Sequence, residues 1–171
     1  MEMIKIAGTG MILASSFWAG LHAALRLKRT HEQLRDLNAA LELIAAEIRF
    51  AATPFVPLCR RAGEGRCAAV RAFFEELSRE RGCPETASEG MTRRACVKAG
   101  LVLPEQAHAD LERLFDGFGC FDREGQLRQI ELVSSELNRL SDELGAQMQG
   151  RCRTYEILGL TAGAAVLVLV I

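Results

Sequence analysis

Cysteines, histidines and carboxylates are the side chains here that could do chemistry, and their spacing decides whether they do. The six cysteines, Cys59, Cys67, Cys83, Cys96, Cys120 and Cys152, contain no C-x-x-C pair. They read as small apolar fillers in a reducing compartment rather than as a disulfide frame. The rival is a metal site of dispersed cysteines with His31 or His108, but none of the histidines, His22, His31 and His108, has a neighbour at ligand spacing. No G-x-x-x-x-G-K-[ST] phosphate loop occurs, so any ATP hydrolysis must come from a partner. Nothing positions a Ser-His-Asp set. No catalytic, cofactor-binding or metal-binding residue is therefore assigned, and no cofactor is expected. The polar residue that stands out is Glu47, at the edge of an apolar helical stripe. There a partly desolvated carboxylate wants an arginine, with Arg123 or Arg128 as candidates.

The stripe beside Glu47 occupies residues 34–54, with Leu34, Leu37, Leu41, Ile44, Ile48 and Ala51 at alternating three- and four-residue steps. That spacing places them on one narrow face, suited to a single partner helix over several turns. Thr30 with Gln33 has the form of a capping box that starts the helix, and Thr53-Pro54 stops it, with Thr53 capping the next. A second stripe, in residues 122–148, runs through Leu127, Ile130, Val133, Leu137, Leu140, Leu144 and Met148, with Asp122 as its cap. The two are expected to pack antiparallel and to form the organising contact of the fold.

Each stripe adjoins an apolar terminus. Residues 6–25 form a 20-residue run broken only by His22, about 30 Å as a helix and enough to cross a bilayer. Arg26, Lys28 and Arg29 follow it, and Arg151 and Arg153 precede the uncharged residues 157–171. By the positive-inside rule both flanks place the intervening domain in the cytoplasm. A cleaved signal peptide, with 6–13 as its apolar core and 14–16 as its cleavage site, is the rival for the first run. Tyr155 suits the interface, and Gly159 and Gly163 have the four-residue spacing that lets membrane helices approach closely. The expected domains are 1–27, a transmembrane helix with its basic flank; 28–153, a cytoplasmic helical bundle; and 154–171, a second transmembrane helix.

The middle of the chain reads as shorter helices: about 54–61, then 67–81, a weaker one at 85–99, and one opened by Leu103-Pro104. The expected inward residues are Ala69, Val70, Phe73, Phe74 and Leu77, then Ala87, Met91, Ala95 and Val97, then Ala107, Leu111, Leu114, Phe115 and Phe118. Glu75, Glu76, Arg79 and Glu80 are expected in solvent. Gly82-Cys83-Pro84 breaks the chain, and Gly117 and Gly119 end the last short helix. With hydrophobic residues at 49%, aromatics at 6% and no alternating pattern, the class is all-α, an antiparallel bundle of about six helices flanked by membrane helices. A net charge of -1 with scattered arginines gives no field for nucleic acid.

In order and spacing these pieces resemble the stage III sporulation protein AB family. The likeness rests on Gln33-Leu34-Arg35-Asp36-Leu37, Ala40-Leu41-Glu42-Leu43, Glu47-Ile48 and Thr53-Pro54. It continues in Phe118-Gly119, Asp122-Arg123-Glu124-Gly125-Gln126 and Gln129-Ile130-Glu131-Leu132, and ends in Tyr155, Leu158-Gly159-Leu160 and Gly163. Phe118 and Phe121 depart from the family pattern, which has a Leu-Gly pair and a small hydroxyl residue before the Asp. The resemblance implies a fold like the cytoplasmic domain of the type II secretion F platform protein. It also implies a place in the channel complex joining mother cell and forespore, in the mother-cell membrane. Its implied partners are the other stage III sporulation operon proteins, among them the secretion-type ATPase, stage III sporulation protein AA. The residues that would carry structure and contact are Leu34, Leu37, Leu41, Ile44, Glu47, Ile48, Thr53, Pro54, Asp122, Gln126, Ile130, Leu137, Tyr155, Gly159 and Gly163.

Two functions follow as alternatives. One is a non-catalytic scaffold whose helical domain docks the ATPase, with residues 54–66 and 83–104 facing it and Arg60, Arg61, Arg93 and Arg94 meeting an acidic surface. The other is a helical ligand-sensing or signalling membrane protein. A sensor needs a concave pocket with convergent polar groups, whereas a platform needs a filled core and a binding face.

Overall fold

Helical periodicity runs through nearly the whole chain, and a computed structural model resolves it into six helices, with no strand among the described residues. The structure describes residues 2–51, 53–82, 90–119 and 122–170, with side chains for Trp18, His22 and residues 25–51, 53–81, 90–119 and 122–147. Cys83, Pro84, Ala87, Cys120 and Phe121 lie outside the described residues.

Helix α1 spans Glu2–Phe50, α2 Phe55–Gly63, α3 Ala68–Gly82, α4 Met91–Ala99, α5 Glu105–Asp116 and α6 Arg123–Val170. The chain divides into two units. One consists of the terminal segments Met1–Arg29 and Leu144–Ile171, the other of Thr30–Glu143. In the terminal unit the backbone is helical, and Arg26, Lys28 and Arg29 are exposed. The side chains of Met148, Cys152, Tyr155 and the surrounding apolar run fall outside the described set. Among the described residues no helix is long and apolar enough to cross a membrane.

The unit Thr30–Glu143 is built on the two stripes. Leu34, Leu37, Leu41 and Ile44 are fully buried and Ile48 nearly so, facing a core that also takes Ile130, Val133, Leu137 and Leu140 from α6. Ser134 donates its hydroxyl to the Asn38 side-chain carbonyl, and Arg49 lies 3.7 Å from Glu131. Advancing along α1 from Asn38 to Arg49 means retreating along α6 from Ser134 to Glu131, so the two helices run antiparallel. The rest of the core is aromatic. Phe73, Phe74 and Phe115 are buried and meet edge to face, with centroids 5.1, 5.8 and 5.9 Å apart, an arrangement that the ring quadrupoles favour. Val70, Leu77, Ala107, Leu111 and Leu114 complete it.

Several local expectations give way to longer-range contacts. Thr30 does not begin a helix, because no breaker precedes it and α1 runs through it unbroken. Gln33 is free of capping duty and accepts the Val102 N–H at 2.8 Å, closing the α4–α5 loop onto α1. Thr53 does not cap α2. Pro54 holds that position without a side-chain cap, and the Thr53 hydroxyl donates to Glu47 instead, a stronger acceptor because it is charged. Val97 is 75% exposed, whereas Thr92 and Cys96 are buried with Met91 and Ala95. Two four-residue steps set the inner face of α4 and leave Val97 outside it. Glu80, expected in solvent, is 8% exposed. The Asp122 expectation holds: its carboxylate accepts the Gly125 N–H at 3.1 Å at the start of α6. Gly100 ends α4 in the left-handed region at φ 68. The Leu101 N–H returns to the Cys96 carbonyl at 3.1 Å, which seats Leu101 in the core.

Candidate interaction surface

Polar clamps tie the short helices together, most of them at a helix end. Such ends leave N–H and C=O groups without partners inside the helix. Asp36 on α1 accepts the Cys67 N–H at 2.6 Å, at the entrance to α3. Asp116, the last residue of α5, accepts the Thr92 hydroxyl at 2.6 Å and the N–H groups of Thr92 and Gly90 at 3.3 Å each, at the entrance to α4. Arg81 serves a helix exit: it donates to the Phe115 carbonyl at 2.8 Å and to the Phe118 carbonyl. Its guanidinium lies 4.6 Å from the centre of the Phe55 ring, so one side chain joins α2, α3 and the end of α5. Arg66 reaches the Ala39 carbonyl at 3.0 Å, tying the α2–α3 loop to the middle of α1.

Glu47 takes an arginine, but from α2 rather than from α6. Arg61 approaches it at 2.7 Å and the Glu47 side chain is only 13% exposed, because the turn after Phe50 folds α2 back against the end of α1. A second cluster joins α3 to α4. Glu80 receives Arg94 at 2.8 Å and Lys98 at 3.0 Å, and Lys98 also reaches Glu76 at 3.4 Å. The hydrogen bond from Arg94 chiefly lowers the Glu80 pKa below its ordinary value; burial opposes it and Lys98 assists. Lys98 is raised in turn, first by Glu80 and then by Glu76.

Of the described cysteines, Cys59 and Cys96 are buried as small apolar groups and Cys67 is half-buried. Burial pushes the thiols of Cys59 and Cys96 up to about 12. Cys67 is also raised, mainly by burial. None of the three is in a disulfide. Among the described residues, no group of three or more His, Cys, Asp or Glu is placed to hold a metal ion.

Three hollows among the described residues are grooves in the surface. One, of about 460 Å³, lies between α2 and α3 and is lined by Val56, Arg60, Glu75, Ser78 and Arg79. Another, of about 420 Å³, lies between α5 and α6, and a third, of about 370 Å³, lies on α4 beside Arg93, Arg94, Val97 and Lys98. Of the arginines expected to meet a partner, Arg61 is held by Glu47, Arg94 by Glu80, and Arg93 by Glu105 at 3.1 Å. Arg60 stands exposed on α2.

Leu34, Leu37, Leu41, Ile44, Ile48, Ile130 and Leu137 are thus core residues of one unit. Glu47 and Thr53 bond to each other. Pro54 opens α2. Asp122 opens α6, and its own carbonyl accepts the Gln126 N–H at 2.9 Å. Tyr155, Gly159 and Gly163 fall in the helical backbone of α6 with their surroundings outside the described set. Sequence reasoning missed Asp36, Arg81 and Asp116, whose partners are 31, 34 and 24 residues away.

Comparison with known proteins agrees with this architecture. The family model described as stage III sporulation protein AB matches residues 5–171. The chain belongs to the stage III sporulation protein AB family. Stage III sporulation protein AB of Bacillus subtilis (strain 168) is 23% identical over 171 residues, which is 98% of this chain and 99% of that protein. A solved structure of a stage III sporulation protein AB has a TM-score of 0.61 at 21% identity, covering 71% of this chain and 97% of that one. At that identity the structural likeness is one of fold. Within the family frame, the segments that carry the sequence resemblance fall in three places: on α1 with the turn after it, at the α5–α6 junction, and in the last part of α6.

Proposed function

We propose that this member of the stage III sporulation protein AB family is a non-catalytic membrane scaffold of the channel complex between mother cell and forespore. Its helical domain docks the secretion-type ATPase of the same operon, the stage III sporulation protein AA, and other operon proteins assemble on it. The apolar runs 6–25 and 157–171 anchor it in the mother-cell membrane, and the exposed Arg26, Lys28 and Arg29 hold the domain on the cytoplasmic side. In this reading the domain resembles the cytoplasmic part of a type II secretion F protein.

The observation that carries the proposal is how the buried space is used. Phe73, Phe74, Phe115 and the two stripes are packed into the core, and the grooves between α2 and α3 and between α5 and α6 are hollows of the surface. Such a body presents faces, whereas a sensor encloses a ligand. The faces nearest the expectation are α2 with Arg60 and α4 with Val97.

The test is a titration of the full chain, in lipid nanodiscs, with the purified ATPase. Association at micromolar concentration or tighter is expected, weakened at least about tenfold by Arg60→Glu combined with Val97→Asp. If no complex forms at that concentration, and a small molecule raises the melting temperature instead, the chain is a sensor.

A further inference from the structure

Trp18, His22, Leu25, Arg26 and Arg29 follow one another along α1 inside the terminal unit. Their spacing gathers them within about a third of the helix circumference. All five are exposed, Trp18 at 64% and Leu25 at 45%. The Trp18 and His22 rings meet with centroids 5.4 Å apart, so the stripe begins as one aromatic surface and ends in two guanidinium groups.

The helical rise turns this stripe into a depth scale. Trp18 lies about 12 Å and His22 about 6 Å before Arg26, and Arg29 about 4.5 Å beyond it. With residues 6–25 in the bilayer, as proposed above, the arginines stand at the level of the lipid phosphates. His22 then stands at the glycerol and ester level, where an imidazole needs a polar partner, and Trp18 lies beside the acyl chains.

The chain gives these arginines no counter-ion. Among the described residues no hydrogen bond or ion pair engages Arg26 or Arg29. No Asp or Glu occurs between Glu2 and Glu32, and within residues 144–171 Glu156 stands alone against Arg151 and Arg153. A phosphate of the bilayer itself is the anion that the depth of the stripe puts within reach.

We propose that the Trp18–Arg29 stripe is a binding site for one anionic phospholipid. Its phosphodiester sits between Arg26 and Arg29, whose planar forks match phosphate oxygens. His22 donates a ring N–H to an ester or glycerol oxygen, and an acyl chain lies along Leu25 and Trp18. A zwitterionic lipid offers the same phosphate but brings its own ammonium group, which competes with the arginines. The site rests on the membrane reading given above, not on the ATPase or the channel.

Trp18 is the one tryptophan of the chain and reports on the site directly. The full chain is placed in phosphatidylcholine nanodiscs in which a small share of the lipid is phosphatidylglycerol or phosphatidylcholine with brominated acyl chains, which quench tryptophan on contact. Brominated phosphatidylglycerol is expected to quench as strongly as about ten times as much brominated phosphatidylcholine. Arg26→Gln with Arg29→Gln should bring the two lipids to parity, and Arg26→Lys with Arg29→Lys should keep part of the preference. Arg35→Gln, exposed but outside the stripe, should leave it whole. A preference that survives the double glutamine change, or that millimolar inorganic phosphate removes, would overturn the proposal. Equal quenching by both lipids in the unaltered chain would overturn the site alone. No quenching even with every lipid brominated would overturn the membrane anchoring of residues 6–25 as well.

Discussion

Removing the Arg81 guanidinium tests whether the short helices are held by polar clamps or merely by the apolar core beneath them. Arg81→Met keeps the aliphatic stem and deletes the fork. It frees the carbonyls of Phe115 and Phe118, which Arg81 now holds at the end of α5, and it removes a cation 4.6 Å from the Phe55 ring centre. Each hydrogen bond from a charged donor contributes about 1.5–3 kcal/mol, and the half-buried position points to the lower end. Stacking on the ring adds about 0.5–1 kcal/mol. The expected loss is therefore about 3–4 kcal/mol in urea unfolding of the full chain in detergent, followed by far-ultraviolet circular dichroism. Arg81→Lys should recover only about a third of it, since a point charge cannot serve two carbonyls as a fork does. Arg79→Met, two residues away, removes a guanidinium whose exposed pair with Glu76 spans one turn of α3, and should cost less than about 0.5 kcal/mol. If Arg81→Met costs no more than Arg79→Met, the clamp has no energetic role.

Glu47→Gln breaks the pair with Arg61 and weakens the acceptor of Thr53. A loss of about 1–2 kcal/mol is expected, measured by the same unfolding, with Glu42→Gln as an exposed comparison. Glu80 has its pKa lowered in the folded state, so its contribution is present above its unfolded pKa and disappears as pH falls through the folded value, in the window below 4.5. Glu80→Gln should therefore flatten the fall in stability as the pH drops below 4.5; an unchanged slope would remove Glu80 from that fall. With their thiols pushed up to about 12, Cys59 and Cys96 should escape maleimide in the folded chain at pH 8 and react fully in urea, as read by peptide mass spectrometry.

The parts legible in the sequence were those set by periodicity. A three- and four-residue step in α1 and in α6 can be satisfied by one face of one helix, so Leu34 to Ile48 and Ile130 to Leu140 were readable as seams before any partner was known. The Asp122 cap was readable because its N–H partner is three residues away. Gln33, Asp36, Arg81 and Asp116 were not, because each serves the end of a different helix or a distant loop. Nothing local distinguishes a carboxylate that caps another helix from one that faces water. The Thr30/Gln33 box failed for the same reason: a valid local signal lost to a helix that had no cause to stop. Val97 and Glu80 were exchanged, one out and one in, because two four-residue steps oriented α4 and the cations on its flank gave Glu80 company.

The antiparallel pairing of α1 with α6 is the contact on which the other helices are hung, and one cross-link tests it. Asn38→Cys with Ser134→Cys replaces two side chains that hydrogen-bond across that seam. In the full chain a short bis-methanethiosulfonate reagent should join positions 38 and 134 of the same copy in high yield, seen by mass spectrometry as a single linked peptide pair. A control with Ser135→Cys, one step around the exposed side of α6, should give little product. Equal yields from the two pairs, or no linkage of 38 with 134, would mean that the two long helices do not lie together in the protein as it works.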